Sequence, residues 1–257
     1  MSDPDLEITE DLFLNGQLRL RQPKRGHRAG HDAILLAAAT PARPGDRIAD
    51  FGAGVGAAAL AIATRVPGVE CALFEIDSAL AELARANTAL NSLNAEVHTF
   101  DVTASADAFA AAGFAPDSVD AVLMNPPFND ASRHQSSPDA QRQVAHVAGE
   151  QTLTQWVHAA RRILKPGGSL TLIWRAEGLG DVLAALDRGF GGIRILPIHP
   201  DAAKPAIRVL VSAIKGSGAP MSIRRGLNLN GENGSASAEA SAALSGQAIA
   251  FIEEGIR

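Results

Sequence analysis

The chain has 257 residues, of which 46% are apolar, with a net charge of −5 at pH 7 and one cysteine, Cys71. This length and composition are typical of a globular protein with a substantial core, and we expect a single domain. The negative charge argues against a dedicated nucleic-acid binder with an overall basic field, and the single cysteine, which we expect to be a buried small side chain, excludes an internal disulfide.

The apolar runs and the first residues bear on membrane insertion and export. No uninterrupted apolar run is longer than the one at residues 33–39, which is far short of the roughly 20 residues that a membrane-spanning helix needs. Residues 1–5 are acidic and lack the basic and apolar regions of a secretory signal. We therefore expect a cytoplasmic protein without a membrane span.

Charge is unevenly distributed near the start of the chain. Residues 3–11 hold five acids and no base, whereas residues 19–28 hold Arg and Lys at five positions, together with His27, and no acid. The basic block could track a phosphate backbone, or it could be a solvated and partly mobile surface segment. Both interpretations remain open from the sequence.

From residue 46 onward, short β-rich runs alternate with alanine-rich helical runs. This alternation predicts an α/β fold with a seven-stranded, mostly parallel sheet covered by helices on both faces. Helices are predicted over residues 57–65, from the cap Asp77 to about 90, from 102 to about 112, and over 151–164 and 181–188. Strands are predicted near residues 47–51, 70–75, 97–100, 119–124, 169–174, 193–198 and 206–214.

The remaining segments complete a single domain over residues 1–257. Residues 33–39 predict a buried helix with Asp32 as its cap, so residues 1–44 are expected to pack over the ligand-binding end of a core formed by residues 45–215. Polar residues 129–143 predict a surface loop or lid. The extension 216–257 contains a Gly- and Ser-rich stretch, 216–246, that is typical of a flexible excursion, with a short hairpin arm at 221–229.

A glycine-rich loop, Asp50-Phe51-Gly52-Ala53-Gly54-Val55-Gly56, stands between the first core strand and its helix. Such a loop lets the backbone approach a ligand and presents N–H groups at a positive helix end. Gly52, Gly54 and Ala57 also satisfy the tolerant dinucleotide fingerprint, and Glu75 follows at the distance of a ribose-binding acid. A nicotinamide-dependent dehydrogenase therefore remains open on these residues.

Acidic side chains follow successive predicted strands. Asp50 could accept a hydrogen bond from a ligand ammonium group or a bound water but would repel a pyrophosphate, and Asp101 could accept from an adenine amino group. Each acid alone could be a helix cap or a surface charge, as Asp77 could. Because the carboxyl ends of parallel strands meet at one edge of a sheet, these side chains together predict one ligand-binding crevice.

The fourth predicted core strand ends in Asn125-Pro126-Pro127-Phe128. The two prolines remove two backbone donors and fix two φ angles, so the Asn125 amide and the Pro126 carbonyl are rigidly placed acceptors. Phe128 can stack on a flat ring. The motif therefore predicts a site for a planar amino group.

Together, these residues resemble the S-adenosylmethionine-dependent methyltransferases of the Rossmann-like class I fold, and within them the amino-methylating branch marked by Asn-Pro-Pro-aromatic. Residues 27–36, His-Arg-Ala-Gly-His-Asp-Ala-Ile-Leu-Leu, are similar to the Gly-Thr-Asp-x-x-Leu-Leu segment of bacterial tRNA adenine-N6 methyltransferases that act beside the anticodon of a valine tRNA. The resemblance covers residues 11–246. It implies methylation of an adenine 6-amino group in tRNA, with S-adenosylmethionine as the methyl donor.

The resemblance also implies roles for individual residues. The glycine loop would hold the methionine part of the cofactor, Glu75 its ribose, and Asp101 with Val102 its adenine, while Gly30 and Asp32 would close over the carboxylate end. His31 stands where the family has threonine, and Phe128 where it often has tyrosine. The implied catalytic residues are Asn125, Pro126, Pro127 and Phe128. The implied cofactor-binding residues are Gly30, His31, Asp32, Asp50, Phe51, Gly52, Ala53, Gly54, Gly56, Glu75, Ile76, Asp101, Val102 and Asn125.

Similar motifs also serve protein glutamine N5-methyltransferases and ribosomal RNA guanine-N2 methyltransferases, because all three acceptors are planar nitrogens. The basic block at 19–28, with Lys204, Arg208 and the pair at 224–225, favours RNA over protein. A cofactor-binding module without catalysis is disfavoured by the intact Asn-Pro-Pro-Phe motif. No metal site is expected, because His134 and His146 flank the polar loop and are expected to be exposed histidines.

Overall fold

The computed structural model describes residues 7–26, 28–127, 138–231 and 233–249, and for residues 138–150 it describes the backbone alone. The chain forms a two-stranded hairpin and a nine-stranded sheet. The hairpin strands are β1 (Ile8–Phe13) and β2 (Leu18–Pro23). The sheet strands are β3 (Arg47–Phe51), β4 (Glu70–Glu75), β5 (Ala95–Thr99), β6 (Val119–Met124), β7 (Leu164–Arg175), β8 (Phe190–His199), β9 (Arg208–Lys215), β10 (Ser222–Ile223) and β11 (Leu227–Asn228).

The sheet order is β10-β8-β9-β7-β6-β3-β4-β5, and β11 also pairs with β8. Strands β3 to β7 pair in parallel, whereas β9 is antiparallel to both β7 and β8. The predicted strands form the long members of this sheet, and two-residue strands β10 and β11 extend its edge. The prediction of an α/β fold with a mostly parallel sheet is therefore confirmed.

Helices cover both faces of the sheet. Alternate residues of each central strand face opposite sides, so Leu123 belongs to one buried cluster while Val122 and Met124 belong to the other. The first cluster includes buried residues of α1 (His31–Ala39), α2 (Ala57–Arg65), α3 (Ser78–Leu90) and α7 (Ala238–Leu244). The second includes residues of α4 (Ala106–Ala111), α5 (Pro138–Ile163) and α6 (Leu179–Leu186).

The two charge blocks pair with each other across the β1–β2 hairpin, whose antiparallel register places Glu10 opposite Arg21. The basic block is therefore not an isolated patch, because four of its cations lie within 4 Å of carboxylates from the acidic block. The charged pairs are Arg19–Glu10 at 3.5 Å, Arg21–Glu10 at 3.3 Å, Lys24–Glu7 at 3.1 Å and Arg28–Asp11 at 2.7 Å.

Asp32 does not cap α1. The helix begins one residue earlier, at His31, and its N-cap is Gly30, which makes no side-chain capping hydrogen bond. Asp32 instead lies in the first turn, and its Oδ2 atom accepts a hydrogen bond from Arg208 Nε at 3.0 Å. The predicted cap is therefore wrong, and the carboxylate links α1 to the start of β9.

The segment after β9 is folded onto the domain. Strands β10 and β11 both pair in parallel with β8, so the hairpin predicted at 221–229 is wrong: the two strands run in the same direction along one neighbour. Helix α7 packs on α1, and the Ile249 N–H donates to the Ala38 carbonyl at 2.8 Å. The prediction of a flexible excursion over 216–246 is wrong for the part that the structure describes, because its backbone bonds to β8 and its apolar residues join the core.

Helix α5 is longer than predicted. It begins at Pro138, where a proline is favoured because the first helical N–H has no partner within the helix. The predicted loop over 129–143 is therefore wrong from residue 138 onward. Phe128, His134 and the rest of that prediction, as well as the side chain of His146, lie outside the described residues. None of the helices that the structure describes is long and apolar enough to cross a membrane.

Candidate cofactor and acceptor site

The strand register brings the predicted site residues to one edge of the sheet. Phe51 pairs with Phe74 on one side and Met124 on the other, and Glu75 pairs with Thr99. The residues that follow these strands therefore emerge along the carboxyl edge of β3, β4, β5 and β6. Because β3 and β6 are neighbours at the point where strand order reverses, a ligand crevice is expected there.

The glycine loop is folded back on β4. Gly52, Gly54 and Gly56 have φ values of +68°, +57° and +90°, which favour glycine. The N–H groups of Gly52 and Ala53 donate to the Phe74 carbonyl at 2.9 and 3.0 Å, and that of Gly56 donates to the Ala53 carbonyl at 2.8 Å. The expectation that the loop presents free N–H groups is wrong at these positions, because the tight turn uses them internally.

Glu75 is hydrogen-bonded to the glycine loop. This buried side chain accepts a hydrogen bond from the Gly54 N–H at Oε2, at 2.8 Å, and from the Asp77 N–H at Oε1, at 2.9 Å. Both oxygens thus bond backbone groups, and each keeps further acceptor capacity. The carboxylate therefore links the loop after β3 to the end of β4.

Asp50 is buried at 3% exposure, and its Oδ2 atom accepts from the Ala59 N–H at 3.1 Å. This bond satisfies a donor in the first turn of α2, whose own N-cap is a left-handed glycine. Burial raises the pKa of Asp50 to about 7; the Ala59 N–H opposes that rise, and the charge of Glu75 adds to it. Two carboxylates beside the loop favour a cationic ligand group and disfavour a pyrophosphate.

The other acids divide into a structural cap and an exposed turn. Asp77 caps α3 by accepting from the Ala79 and Leu80 N–H groups at 2.8 and 3.2 Å, as predicted for a helix cap. Asp101 is exposed, and its Oδ1 atom accepts from the N–H and hydroxyl of Thr103 at 2.8 and 2.7 Å. That local turn fixes the Asp101 carboxylate at the end of β5.

Two apolar side chains follow the same strands. Val102 is 4% exposed and belongs to the second buried cluster, so it supports the turn at Asp101 from below. Ile76 is 66% exposed, directly after Glu75. An exposed isoleucine beside a crevice offers an apolar surface for a flat ring.

Asn125 carries an acceptor without a partner. Its Oδ1 atom is buried and makes no hydrogen bond to any residue that the structure describes. Buried polar groups are almost always paired, so an orphaned oxygen at the carboxyl edge calls for an explanation. The next two residues, buried Pro126 and exposed Pro127, have no N–H that could satisfy it. The arrangement fits a donor group supplied by a ligand.

The predicted cofactor-binding segment Gly30 to Asp32 lies at the start of α1. Gly30 is the N-cap, His31 opens the helix and Asp32 is paired with Arg208. Helix α1 packs against α2, the helix that begins at the end of the glycine loop. The three residues therefore stand at the start of a helix that adjoins the loop.

Two residues of this region escaped prediction. Trp156 of α5 packs against the glycine loop, because a Cβ atom added to Gly52 would lie 2.5 Å from its Cη2 atom. Asn87 of α3, fully buried, donates from Nδ2 to the Val55 carbonyl at 2.9 Å. The signal for Trp156 is its rare residue type, since the chain has two tryptophans and no tyrosine. The signal for Asn87 is its position inside a predicted helix, where asparagine is disfavoured.

The acceptor groups and the apolar surface at this edge fit a cationic nucleoside cofactor. Asp50 and Glu75 lie at the glycine loop, Ile76 offers an apolar surface, and an orphaned acceptor marks the neighbouring strand end. Within the ranges that the structure describes, no three His, Cys, Asp or Glu side chains are grouped so as to hold a metal ion. Cys71 is buried as predicted, and burial raises the pKa of its thiol to about 12.

The sheet order, the glycine loop and the strand-end acids define a Rossmann-like class I methyltransferase. The chain belongs to the family whose model is described as the methyltransferase small domain, which matches residues 30–197. It is therefore an S-adenosylmethionine-dependent methyltransferase. This membership excludes the dehydrogenase interpretation of the glycine loop.

Curated relatives carry two kinds of name. The tRNA1(Val) (adenine(37)-N6)-methyltransferase of Tolumonas auensis is 30% identical over 177 residues, which cover 68% of this chain and 70% of the relative. The enzyme of that name from Porphyromonas gingivalis is 31% identical over 179 residues, 67% of this chain and 68% of its own. The ribosomal RNA small subunit methyltransferase C of Citrobacter koseri is 30% identical over 158 residues, 62% of this chain and 39% of the relative.

Solved structures share the fold. A protein from Agrobacterium tumefaciens, described as a predicted O-methyltransferase, superposes with a TM-score of 0.71 at 32% identity, covering 84% of this chain and 97% of its own. The 16S rRNA N2 G1207 methyltransferase of Thermus thermophilus, solved with AdoMet and guanosine, gives a TM-score of 0.53 at 20% identity over 82% of this chain and 51% of its own. The second likeness concerns the fold alone.

Proposed function

We propose that this methyltransferase acts on the 6-amino group of an adenine in tRNA. The observation that carries the proposal is the buried Oδ1 atom of Asn125, which lacks a partner in the described structure and stands directly before two prolines. An exocyclic amino group is a donor that would satisfy it. The tRNA adenine-N6 methyltransferases among the relatives supply the choice of RNA and base.

In this proposal the acceptors at the end of β6 bind and orient the amino group. Asn125 Oδ1 and the Pro126 carbonyl accept its two hydrogen bonds, which turns the nitrogen lone pair out of conjugation and stabilises the positive charge that develops on nitrogen. When bound, S-adenosylmethionine supplies an electrophilic methyl group. The chain holds the nitrogen in line with it, and alignment accounts for much of the rate. The proton lost from nitrogen leaves to solvent.

The proposed cofactor contacts follow from the edge geometry. The glycine loop with Asp50 would hold the methionine part, Glu75 the ribose hydroxyls, and Ile76, Asp101 and Val102 the adenine. Residues 1–44, with Gly30 to Asp32 at the start of α1, would cover the cofactor, and Phe128 would stack on the substrate base. A single domain over residues 1–257 and a cytoplasmic location complete this proposal.

A second candidate is guanine-N2 methylation in ribosomal RNA. It is favoured by the 30% identity to the ribosomal RNA small subunit methyltransferase C, although that match covers 39% of the relative. A guanine 2-amino group is also planar and would present the same donors to Asn125. The two candidates therefore differ in the RNA and the base, not in the acceptor site.

The test is methyl transfer from labelled S-adenosylmethionine to separate pools of unmodified tRNA, unmodified ribosomal RNA and peptide release factor. Nucleoside and peptide mass spectrometry then identify the product. N6-methyladenosine in the tRNA pool is the expected result. N2-methylguanosine in ribosomal RNA would select the second candidate, and label found in protein alone, or on an oxygen atom, would overturn the proposal.

A further inference from the structure

Asn87 of α3 and the C-cap residue Asn91, four residues further on, face the outer edge of β2. Asn91 accepts from the Arg19 N–H at 2.9 Å and donates to the Arg19 carbonyl at 2.7 Å. Asn87 repeats the pattern with Arg21, at 2.7 and 2.9 Å. Because Arg19 and Arg21 are alternate residues of one strand, both expose their N–H and C=O on the same edge. The two side chains therefore replace a neighbouring strand and dock the hairpin.

Beyond the hairpin, each asparagine makes one further contact: Asn91 Nδ2 donates to the Asn87 carbonyl at 2.7 Å, within its own helical turn. Asn87 Nδ2 also donates to the Val55 carbonyl at 2.9 Å, a buried hydrogen bond that joins α3 to the glycine loop. Asn87 is fully buried, whereas Asn91 is only partly so. One primary amide thus ties together the hairpin, α3 and the loop.

Val55 stands between two left-handed glycines, Gly54 and Gly56, at φ values of +57° and +90°. Glycine backbones have many accessible conformations, so a loop of this kind keeps one shape only when its peptide groups are held. Glu75 holds the Gly54 N–H from one side, and Asn87 holds the Val55 carbonyl from the other. The peptide that enters α2 is thereby fixed.

We propose that Asn87 is a positioning residue for the cofactor. By holding the Val55 carbonyl it keeps the glycine loop in its binding shape, and it makes that shape depend on the docked hairpin. This inference rests on the proposed placement of S-adenosylmethionine at the glycine loop. Preorganising a loop raises affinity by removing the entropic cost of ordering it on binding.

The test compares Asn87→Ala with Asn91→Ala by calorimetric titration with S-adenosylmethionine and by thermal denaturation. Each substitution removes two hairpin contacts and one further bond, which is to the Asn87 carbonyl for Asn91→Ala; only Asn87→Ala releases Val55. Asn87→Ala is expected to weaken cofactor binding about tenfold, and Asn91→Ala to change it by less than about twofold. A merely structural role would lower the melting temperature of both variants and leave both dissociation constants unchanged.

If Asn87→Ala does not fold, Asn87→Ser and Asn91→Ser replace the pair. A serine side chain keeps a small polar group but is too short to make the contacts of the amide, and the same difference in affinity is expected. If the wild-type protein binds S-adenosylmethionine and the Asn87 variant binds it with the same affinity, the inference is overturned while the proposed cofactor placement stands. A wild-type protein that binds no S-adenosylmethionine overturns the proposed cofactor placement and the inference with it.

Discussion

The backbone N–H of Gly54 and the Oε2 atom of Glu75 are 2.8 Å apart, and this hydrogen bond ties the loop after β3 to the end of β4. The second oxygen of Glu75 accepts from the Asp77 N–H. A carboxylate predicted to bind ribose is thus also the residue that joins two strand ends. In the proposed cofactor placement, ligand binding and loop shape are therefore coupled at one buried side chain.

Replacing Glu75 with glutamine should therefore affect both folding and binding. An amide has one acceptor oxygen, so one of the two N–H groups would face its NH₂ group unsatisfied. We expect the free energy of unfolding to fall by about 1–3 kcal/mol, measured by chemical denaturation, with weaker cofactor binding. Glu82→Gln, at the exposed ion pair with Arg85, is the control and should change stability by less than about 1 kcal/mol. Equal effects of the two substitutions would contradict the role of Glu75.

The raised pKa of Asp50 makes the free energy of unfolding depend on pH with a definite sign. Its pKa is raised from 3.8 to about 7 in the folded state, so between these values the native protein retains a proton that the unfolded chain has lost. This contribution to stability is fully present below 3.8 and is lost as pH rises through about 7. We expect Asp50→Asn to flatten the unfolding free energy over that window, whereas Asp187→Asn, an exposed control, should not. A pH profile that Asp50→Asn leaves unchanged would refute this account.

Gly52→Ala should be costly because of Trp156. The added Cβ atom would lie 2.5 Å from Cη2 of a ring that is 9% exposed, in a backbone with φ +68°. We expect a loss of roughly 2–4 kcal/mol, as overpacking adds to the strain of a left-handed alanine. Gly113→Ala, at φ +87° with nothing within 4 Å, carries the strain alone. Denaturation curves showing equal losses for the two variants would exclude the steric role of Trp156.

The hairpin ion pairs predict how RNA binding responds to charge. Glu10 lies within 4 Å of both Arg19 and Arg21. Glu10→Gln should therefore leave these cations without their carboxylate, tighten binding of the proposed tRNA substrate about two- to threefold and steepen its salt dependence. Binding is measured by filter retention at several salt concentrations, with Glu82→Gln as control. No change for Glu10→Gln would place the hairpin outside the RNA interface.

The central strands and their crevice could be predicted because the signals are local. Strands β3, β4 and β6 were predicted at their observed bounds, since each is a short apolar run between turn signals. Their ends then placed Glu75 and Asn125 at one edge. The family resemblance also anticipated the fold and the cofactor, both of which are confirmed.

The errors concern contacts between distant segments. Ion pairing of the two charge blocks needs the β1–β2 hairpin, and the pairing of β10 and β11 with β8 needs an edge strand that no local pattern reveals. The role of Asn87 could not be predicted, because its partners Arg21 and Val55 are remote in sequence. The internal bonds of the glycine loop likewise depend on β4 lying beside it.

The most direct test of the account is the turnover of Asn125→Ala with the proposed RNA substrate, measured together with the dissociation constant for S-adenosylmethionine. Thr171→Val is the matched control, because Thr171 Oγ1 is likewise buried without a partner in the described structure but lies on β7, opposite Leu123. We predict a loss in kcat on the order of a hundredfold for Asn125→Ala, larger than the weakening of cofactor binding that loss of its implied cofactor contact causes, with the Thr171 variant nearly unchanged. Near wild-type turnover of Asn125→Ala with normal cofactor binding would contradict the account.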